Sequence, residues 1–254
     1  MECDLGWGLQ ASAAPQLAEV YTQLAAWARE ITTLRVINVG GGLCWKQRAE
    51  DRPLSVDTWA DLLGEYLGPV CRARGLTIAC EPGTFVMATA GVLIAEVNTV
   101  EQRASGTWVG LDAGHNLNVY AAHYGIPLAI VPVRRPMRPP QGPVHVAGNI
   151  VESNDVFARA VQLPALQEGE FVALWPAGAQ GATMASDDCM RGLPTEVLVS
   201  STADWPCRVL SAAREARGEA DDEAEGSSER FKRKVLMRWR WLAERGVSVE
   251  QAAM

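Results

Sequence analysis

Apolar positions early in the chain recur at two different periods. In Pro15 to Glu30 (PQLAEVYTQLAAWARE), Leu17, Val20, Tyr21, Leu24 and Trp27 fall at helical spacing and predict an amphipathic helix. Leu34 to Val39 is instead a continuous β-rich run, the pattern of a parallel strand buried on both faces. SVDTWADLLGEYLGPVCRARG predicts a second helix with Ser55 as N-cap, Gly75 as stop and a kink at Gly68–Pro69. Leu76 to Cys80 predicts a second strand running into Glu81-Pro82-Gly83. Helix and strand in alternation, with ligand-type turns at the strand carboxyl ends, predict an α/β unit over residues 1–91.

The period changes after Gly83. VLIAEVNTV, TWVGL, LAIVPV, VHVAG, FVALW and EVLVS are short β-rich runs separated by turns, with RRPMRPPQGP as a loop. They predict an antiparallel β domain over 92–204. From residue 205 to 254 the pattern weakens again. EARGEADDEAEGSSER reads as a charged linker, and FKRKVLMRWRWLAERG as a possible terminal helix.

Composition narrows the classes open to this chain. Of its 254 residues 48% are hydrophobic and 21% charged, as in a globular protein with a sizeable core. A net charge of −7 argues against nucleic acid as a partner. No apolar run is long enough for a bilayer, and MECDLGWGLQ has no signal-peptide pattern, so a cytoplasmic location is expected. The six cysteines form no C-x-x-C pair, which points to reduced, structural thiols and to no metal site.

Candidate chemistry starts at Gly40-Gly41-Gly42. A Walker loop is excluded because Lys46 stands at the wrong offset, and a dinucleotide fingerprint because Trp45 replaces its third glycine. The turn nevertheless ends one predicted strand, while Glu81-Pro82-Gly83 ends the next, at the same end of a parallel sheet. Backbone N–H groups there can bind a phosphate, and a carboxylate at the next strand end can face a ring nitrogen. Elsewhere, Asp112, His115, Asn116 and His123 lack metal-ligand spacing. His123 and His145 are expected to pack, and Ser186, Asp187 and Asp188 to form a turn or cap.

VINVGGGL, ACEPGTFVMATAGVLIAEV, VGLDAGHN, VAGNIVESNDVFA and WPAGAQGATMASD…PTEVLV occur in that order. In order and spacing they resemble the pyridoxal-phosphate decarboxylases with the alanine-racemase fold, nearest the diaminopimelate decarboxylase branch, over about residues 30 to 200. The resemblance implies an α/β barrel followed by a β domain, here the C-terminal half of the barrel. It implies pyridoxal 5′-phosphate as cofactor, a small amino acid as substrate, and sites shared between two subunits. Gly40, Gly41, Gly42 and Gly83 match the glycine and E-P-G turns, and Glu81 the carboxylate that pairs with the pyridinium nitrogen. Glu152 and Asp155 match an E-S-x-D segment that meets substrate in the neighbouring subunit's site.

Several positions depart from the family pattern. Thr84 stands where an arginine follows E-P-G, and Val151 where a cysteine supports protonation of the product. Gln180 replaces a phosphate-contacting tyrosine, Tyr120 an arginine that grips a substrate carboxylate, and His115 a methionine. The lysine that holds the cofactor lies in relatives on the first barrel strand, ahead of the matched region. Lys46, beyond the glycine turn, is expected to be an exposed loop residue. The sequence therefore reads as the C-terminal portion of a PLP-dependent amino-acid decarboxylase that is inactive alone. The alternative is a non-catalytic dimerisation or regulatory partner of an intact decarboxylase, or one half of a split enzyme. A homodimer or a heterodimer with a related chain is expected.

Overall fold

The computed structural model describes residues 1–46, 48, 50–199 and 207–211, the last of these ranges as backbone only. Its contacts divide the chain into two units, Met1–Gly91 and Val92–Met254.

In the first unit, α1 spans Ala14–Glu30, with Pro15 in the first turn, where no intrahelical N–H is needed. Its buried stripe is Leu17, Tyr21, Leu24, Ala25 and Ala28. Trp27, expected on that face, is 46% exposed instead. The 3.6-residue period carries the stripe from Leu24 to Ala28 and leaves position 27 on its rim. The predicted second helix is three consecutive segments. α2 (Val56–Leu62) is capped by the Ser55 hydroxyl, which accepts the Thr58 N–H at 3.0 Å. A π turn over Leu63–Leu67 follows, and the Gly68 N–H reaches back to the Leu63 carbonyl. α3 (Gly68–Arg74) then ends on Gly75 at φ +63°. The missing Pro69 donor is thus absorbed by a wider turn where a kink was expected.

Strand β1 (Val36–Asn38) pairs in parallel with β2 (Thr77–Ala79), Ile37 opposite Ile78. On its other side the Met1–Cys3 backbone bonds to Asn38, through Asn38 N–H to Met1 O at 2.8 Å and Cys3 N–H to Asn38 O at 3.0 Å. The expected burial on both faces is not found. Ile37 is fully buried among the helices, whereas Val36 is 42% exposed, so one face of the strand is covered. One buried bond and three part-buried or exposed ones brace this layer. The Trp59 Nε1–H donates to the Tyr21 hydroxyl at 2.8 Å, and the Arg74 guanidinium donates to the carbonyls of Ala28, Ile31 and Thr32. α4 (Gly83–Met87) closes the unit.

The second unit holds β3 (Leu93–Arg103), β4 (Gly106–Leu111), α5 (Val119–Tyr124), β5 (Ala129–Pro132), β6 (Gly142–Ala147), β7 (Val156–Leu163), β8 (Phe171–Trp175) and α6 (Gly181–Met184). Six strands form one sheet in the order β5-β8-β3-β4-β6-β7. The expected antiparallel β domain is present with one parallel pair in it, β4 against β6. The crossover through α5 and β5 supplies the length that a parallel return needs. Alternate residues Val97, Val109, Leu111, Val146, Val172 and Leu174 form the core. β7 lies in a stretch not expected to be a strand. Arg159 and Ala160 are both exposed, Ala160 at φ +52°, and they break the apolar alternation at a register shift.

β9 (Glu196–Val199) pairs antiparallel with β10 (Cys207–Ser211). The latter was expected inside the charged linker, and its pairing with β9 makes it a strand. The acidic run and the predicted terminal helix lie outside the described residues. No helix among the described residues is long and apolar enough to cross a membrane.

Candidate active site

The site residues of the first unit gather at the carboxyl ends of β1 and β2. After Asn38 the chain turns through Gly40 (φ +66°) and Gly42 (φ +89°), with Gly41 between them. Left-handed backbone favours glycine, and packing demands it here as well. A Cβ at Gly40 would lie 2.8 Å from the Cys3 carbonyl, and one at Gly42 2.7 Å from the Gly6 carbonyl. At Gly41 it would strike the Glu81 carbonyl. The turn is wedged between residues 3–9 and the Glu81–Pro82 turn.

Asn38, which sequence reasoning missed, joins the two turns. Its Oδ1 accepts the Gly40 N–H at 3.0 Å, and its Nδ2 donates to Glu81 Oε1 at 2.6 Å. The Glu81 N–H donates to the Gly40 carbonyl at 2.7 Å, closing the ring of bonds. The signal was present, since an asparagine two residues before a glycine turn commonly bonds backbone two positions on. The Leu9 N–H donates to the Gly42 carbonyl at 2.9 Å. Among the described residues this network leaves out the N–H groups of Gly41 and Gly42, which stand between and at the two positive-φ positions of the turn. That arrangement suits a phosphate, with the Glu81 carboxylate alongside for a ring nitrogen. Gly83 is exposed and opens α4. Lys46 is exposed beyond the turn.

The second unit brings together a different set. Asp155 is 4% exposed, and its carboxylate is fully engaged: Oδ1 accepts the His115 N–H at 2.7 Å and Oδ2 the Ile150 N–H at 2.6 Å. A Cβ at Gly148 would collide with it, which is why glycine stands there. Asp155, expected to meet substrate, therefore faces inward and pins the 149–155 loop to the His115 turn. Glu152 and Val151 are at the exposed tip of that loop, Val151 at 89%. Tyr120, expected to bind substrate, is 7% exposed within the core, its ring edge-on to Tyr124 at 5.2 Å. An arginine at that position would need polar partners, whereas a tyrosine ring can join the apolar cluster. His115 is mostly buried, and its Nδ1 lies 3.7 Å from Asp155 Oδ1. Gln180 is exposed at φ +57°, before α6.

The remaining candidates have local tasks. His145 stacks on Trp108 with centroids 4.6 Å apart, and exposed His123 meets Tyr124 edge-on. The Asp187 carboxylate caps the following turn by accepting the Gly192 N–H at 2.7 Å. The Asp112 Oδ1 accepts the Glu96 N–H at 2.7 Å, and partial burial pushes its carboxyl above the usual aspartate range. The five cysteines with described side chains are free thiols, and burial pushes those of Cys44 and Cys71 up.

Comparison with known proteins identifies the relatives of this chain. Residues 4–88 match the pyridoxal binding domain of pyridoxal-dependent decarboxylases, and residues 55–178 match the C-terminal sheet domain of the same enzymes. The chain is 37% identical over 172 residues to the diaminopimelate decarboxylase of Methanothermobacter thermautotrophicus, an overlap of 64% of this chain and 39% of that protein. With the Aquifex aeolicus diaminopimelate decarboxylase it shares 33% over 168 residues, 66% of this chain and 39% of the relative. It spans about two fifths of the length of these curated relatives. Among solved structures, one diaminopimelate decarboxylase gives a TM-score of 0.75 at 27% identity, covering 85% of this chain and 53% of that one. The Helicobacter pylori enzyme in complex with L-lysine gives 0.69 at 25% identity, covering 91% and 54%. The chain belongs to the pyridoxal-dependent decarboxylases, a family whose cofactor is pyridoxal phosphate.

Proposed function

We propose that this chain supplies the phosphate turn, the ring-facing carboxylate and the C-terminal sheet of an amino-acid decarboxylase of the diaminopimelate decarboxylase type. The observation that carries the reading is the closed ring of bonds through Gly40, Asn38 and Glu81, which builds turn and carboxylate as one piece. Gly41 and Gly42 would hold the cofactor phosphate and Glu81 its ring nitrogen. Bound there, pyridoxal phosphate supplies an electron sink for the pair left behind when CO₂ departs. The chain's own groups in the first unit then have two tasks. The glycine amides hold an anion, and Asn38 keeps the Glu81 carboxylate aimed. The substrate is an amino acid with a second charged end, by likeness to diaminopimelate decarboxylases.

Turnover by these 254 residues needs a complementary barrel segment that carries a cofactor lysine, whether as further chain or as a second protein. Two parallel strands leave a barrel open, and Lys46 points from an exposed loop. The test is CO₂ release from meso-diaminopimelate by the chain alone and by the chain co-expressed with the N-terminal half of a relative. Activity only in the second case, abolished by Glu81→Gln, is expected. A saturable, lysine-dependent absorbance band with the cofactor in the chain alone, lost in Lys46→Ala, would overturn the requirement.

One observation favours a second reading. Val151, where the family has its cysteine, is a fully presented apolar side chain on the loop tip, better suited to contact than to proton transfer. A non-catalytic partner that dimerises with an intact decarboxylase would use the sheet domain in this way. Co-purification with such an enzyme, with its rate altered by Val151→Asp, is the expected signature.

A further inference from the structure

We propose that the outer face of the second unit's sheet binds a small linear zwitterion, with its ammonium at Asp112 and its carboxylate at Arg191. The site does not depend on the decarboxylase reading. Trp108 and Gly110 alternate along β4 with the core residues Val109 and Leu111, so they project away from the core. The strand register sets rows across β3, β4 and β6. Thr99, Gly110 and Ala147 form the middle row, and Glu101, Trp108 and His145 the row toward the β3–β4 turn. On the other side of the middle row, Asn149 Nδ2 donates to the Asp112 carbonyl at 2.7 Å. Small residues therefore floor the centre. A Cβ at Gly110 would already lie 2.9 Å from Asn98 Oδ1. Over this floor, between Trp108 and Asp112, is a cavity of about 490 Å³. Small-molecule sites run from roughly 300 to 1,000 Å³.

The charges around this cavity do not all cancel in place. Arg103 pairs with Glu101 at 2.6 Å, and its guanidinium carbon lies 5.6 Å from the centre of the Trp108 ring. Asp112 and Arg191 line the same cavity, yet among the described residues neither takes part in an ion pair. Asp112 Oδ1 accepts the Glu96 N–H at 2.7 Å, which neutralises no charge. Desolvation holds that carboxyl above the usual aspartate range, a penalty that a bound ammonium would offset. Arg191 is exposed at the end of a fixed turn. The Gly192 N–H donates to Asp187 Oδ1 at 2.7 Å, and the Ser186 N–H to the Asn116 carbonyl at 2.9 Å.

One carboxylate and one guanidinium without ion-pair partners define the ligand. An anion alone would satisfy Arg191 and be repelled by Asp112, and a cation alone would meet the reverse. A molecule with both groups satisfies both. Because Asp112 and Arg191 do not pair with each other, the ligand's two charges must stand apart, joined by an apolar stem. Gly110 and Ala147 leave room for such a stem. Trp108 bounds it as a fixed wall, stacked on His145 with centroids 4.6 Å apart and donating its Nε1–H to Ser105 Oγ at 2.8 Å. An amino acid with a terminal amine has this form.

Backbone-amide NMR of the full chain, titrated with ε-aminocaproate, tests this. The amides of Gly110, Asp112 and Asn149 are expected to shift saturably. Caproate and pentylamine each carry one of the two charges and should bind at least about tenfold more weakly. Arg191→Ala and Asp112→Asn should each weaken ε-aminocaproate by a similar factor, and Asp112→Asn keeps the Oδ1 acceptor for the Glu96 N–H. Glu81→Gln, in the first unit, should leave the affinity unchanged, which separates this site from the cofactor turn. The absence of saturable shifts at these amides would overturn the site. Caproate or pentylamine binding as tightly as ε-aminocaproate would overturn the zwitterion, and so would shifts that persist in both Arg191→Ala and Asp112→Asn.

Discussion

The buried Asp155 carboxylate holds two backbone N–H groups of the second unit, those of His115 and Ile150. Removing its carboxylate in Asp155→Ala leaves the His115 and Ile150 N–H groups buried without acceptors, at about 1–3 kcal/mol each. Urea denaturation should therefore show a loss of about 2–6 kcal/mol for Asp155→Ala. The equivalent change at exposed Glu152 should leave the midpoint in place. A tolerated Asp155→Ala would mean that the loop is not pinned as described. Asp112 offers a test through pH. Partial burial raises its folded-state pKa, opposed by the bond from Glu96 N–H. Between the ordinary aspartate range and that raised value the folded chain binds more protons than the unfolded one, so stability falls as pH rises. Asp112→Asn keeps the Oδ1 acceptor and removes the titration. Its advantage over wild type should grow with pH across that window, and a constant difference would refute the linkage. Residue identity was legible in the sequence, but direction was not. The motif that contains Asp155 says nothing of whether its carboxylate turns outward or toward a turn forty positions earlier.

At the scale of elements, what the sequence disclosed follows from how local each signal is. Ser55 and Gly75 mark helix ends through bonds within a few residues, and both were legible. The alternation of β3, β4, β6 and β8 was legible because one face of each meets the core. β7 was not, because its bulge exposes Arg159 and Ala160 together. The parallel β4–β6 pair was not legible either, because a crossover decides it and no single segment records it. Glycines separate the two kinds of information well. Gly64 lies inside the π turn with open space around its Cα, so Gly64→Ala should stabilise the chain by roughly 0.5–1 kcal/mol in a thermal or urea melt. Gly41→Ala places a methyl group against the Glu81 carbonyl and must part the two turns. Phosphate protection of the turn amides, followed by NMR shift perturbation, should vanish in Gly41→Ala and persist in Gly64→Ala. Equal losses in both would show that the glycine turn is not the anion site.

The two apolar cores share no residue. One is drawn from residues 1–78, around Tyr21, Leu24, Ile37 and Trp59, and the other from residues 93–184, around Val97, Leu111, Val146 and Leu174. A core closed within one stretch of chain needs no other stretch to bury its apolar surface, so residues 92–211 expressed alone should melt cooperatively as a soluble β unit. The first unit is in a different position. Its two-stranded sheet leaves β2 bonded on one side only, and Val36, Phe85, Val86 and Met87 are all exposed near the strands and α4. An open strand edge with apolar neighbours recruits another strand, either correctly from a complementary barrel segment or incorrectly from a second copy. Residues 1–91 alone should therefore self-associate in light scattering, and adding the N-terminal half of a relative should return them to a defined heterodimer. A monomeric, cooperatively melting 1–91 would mean that the sheet needs no closing strand, and with it the requirement for a complementary half would fall.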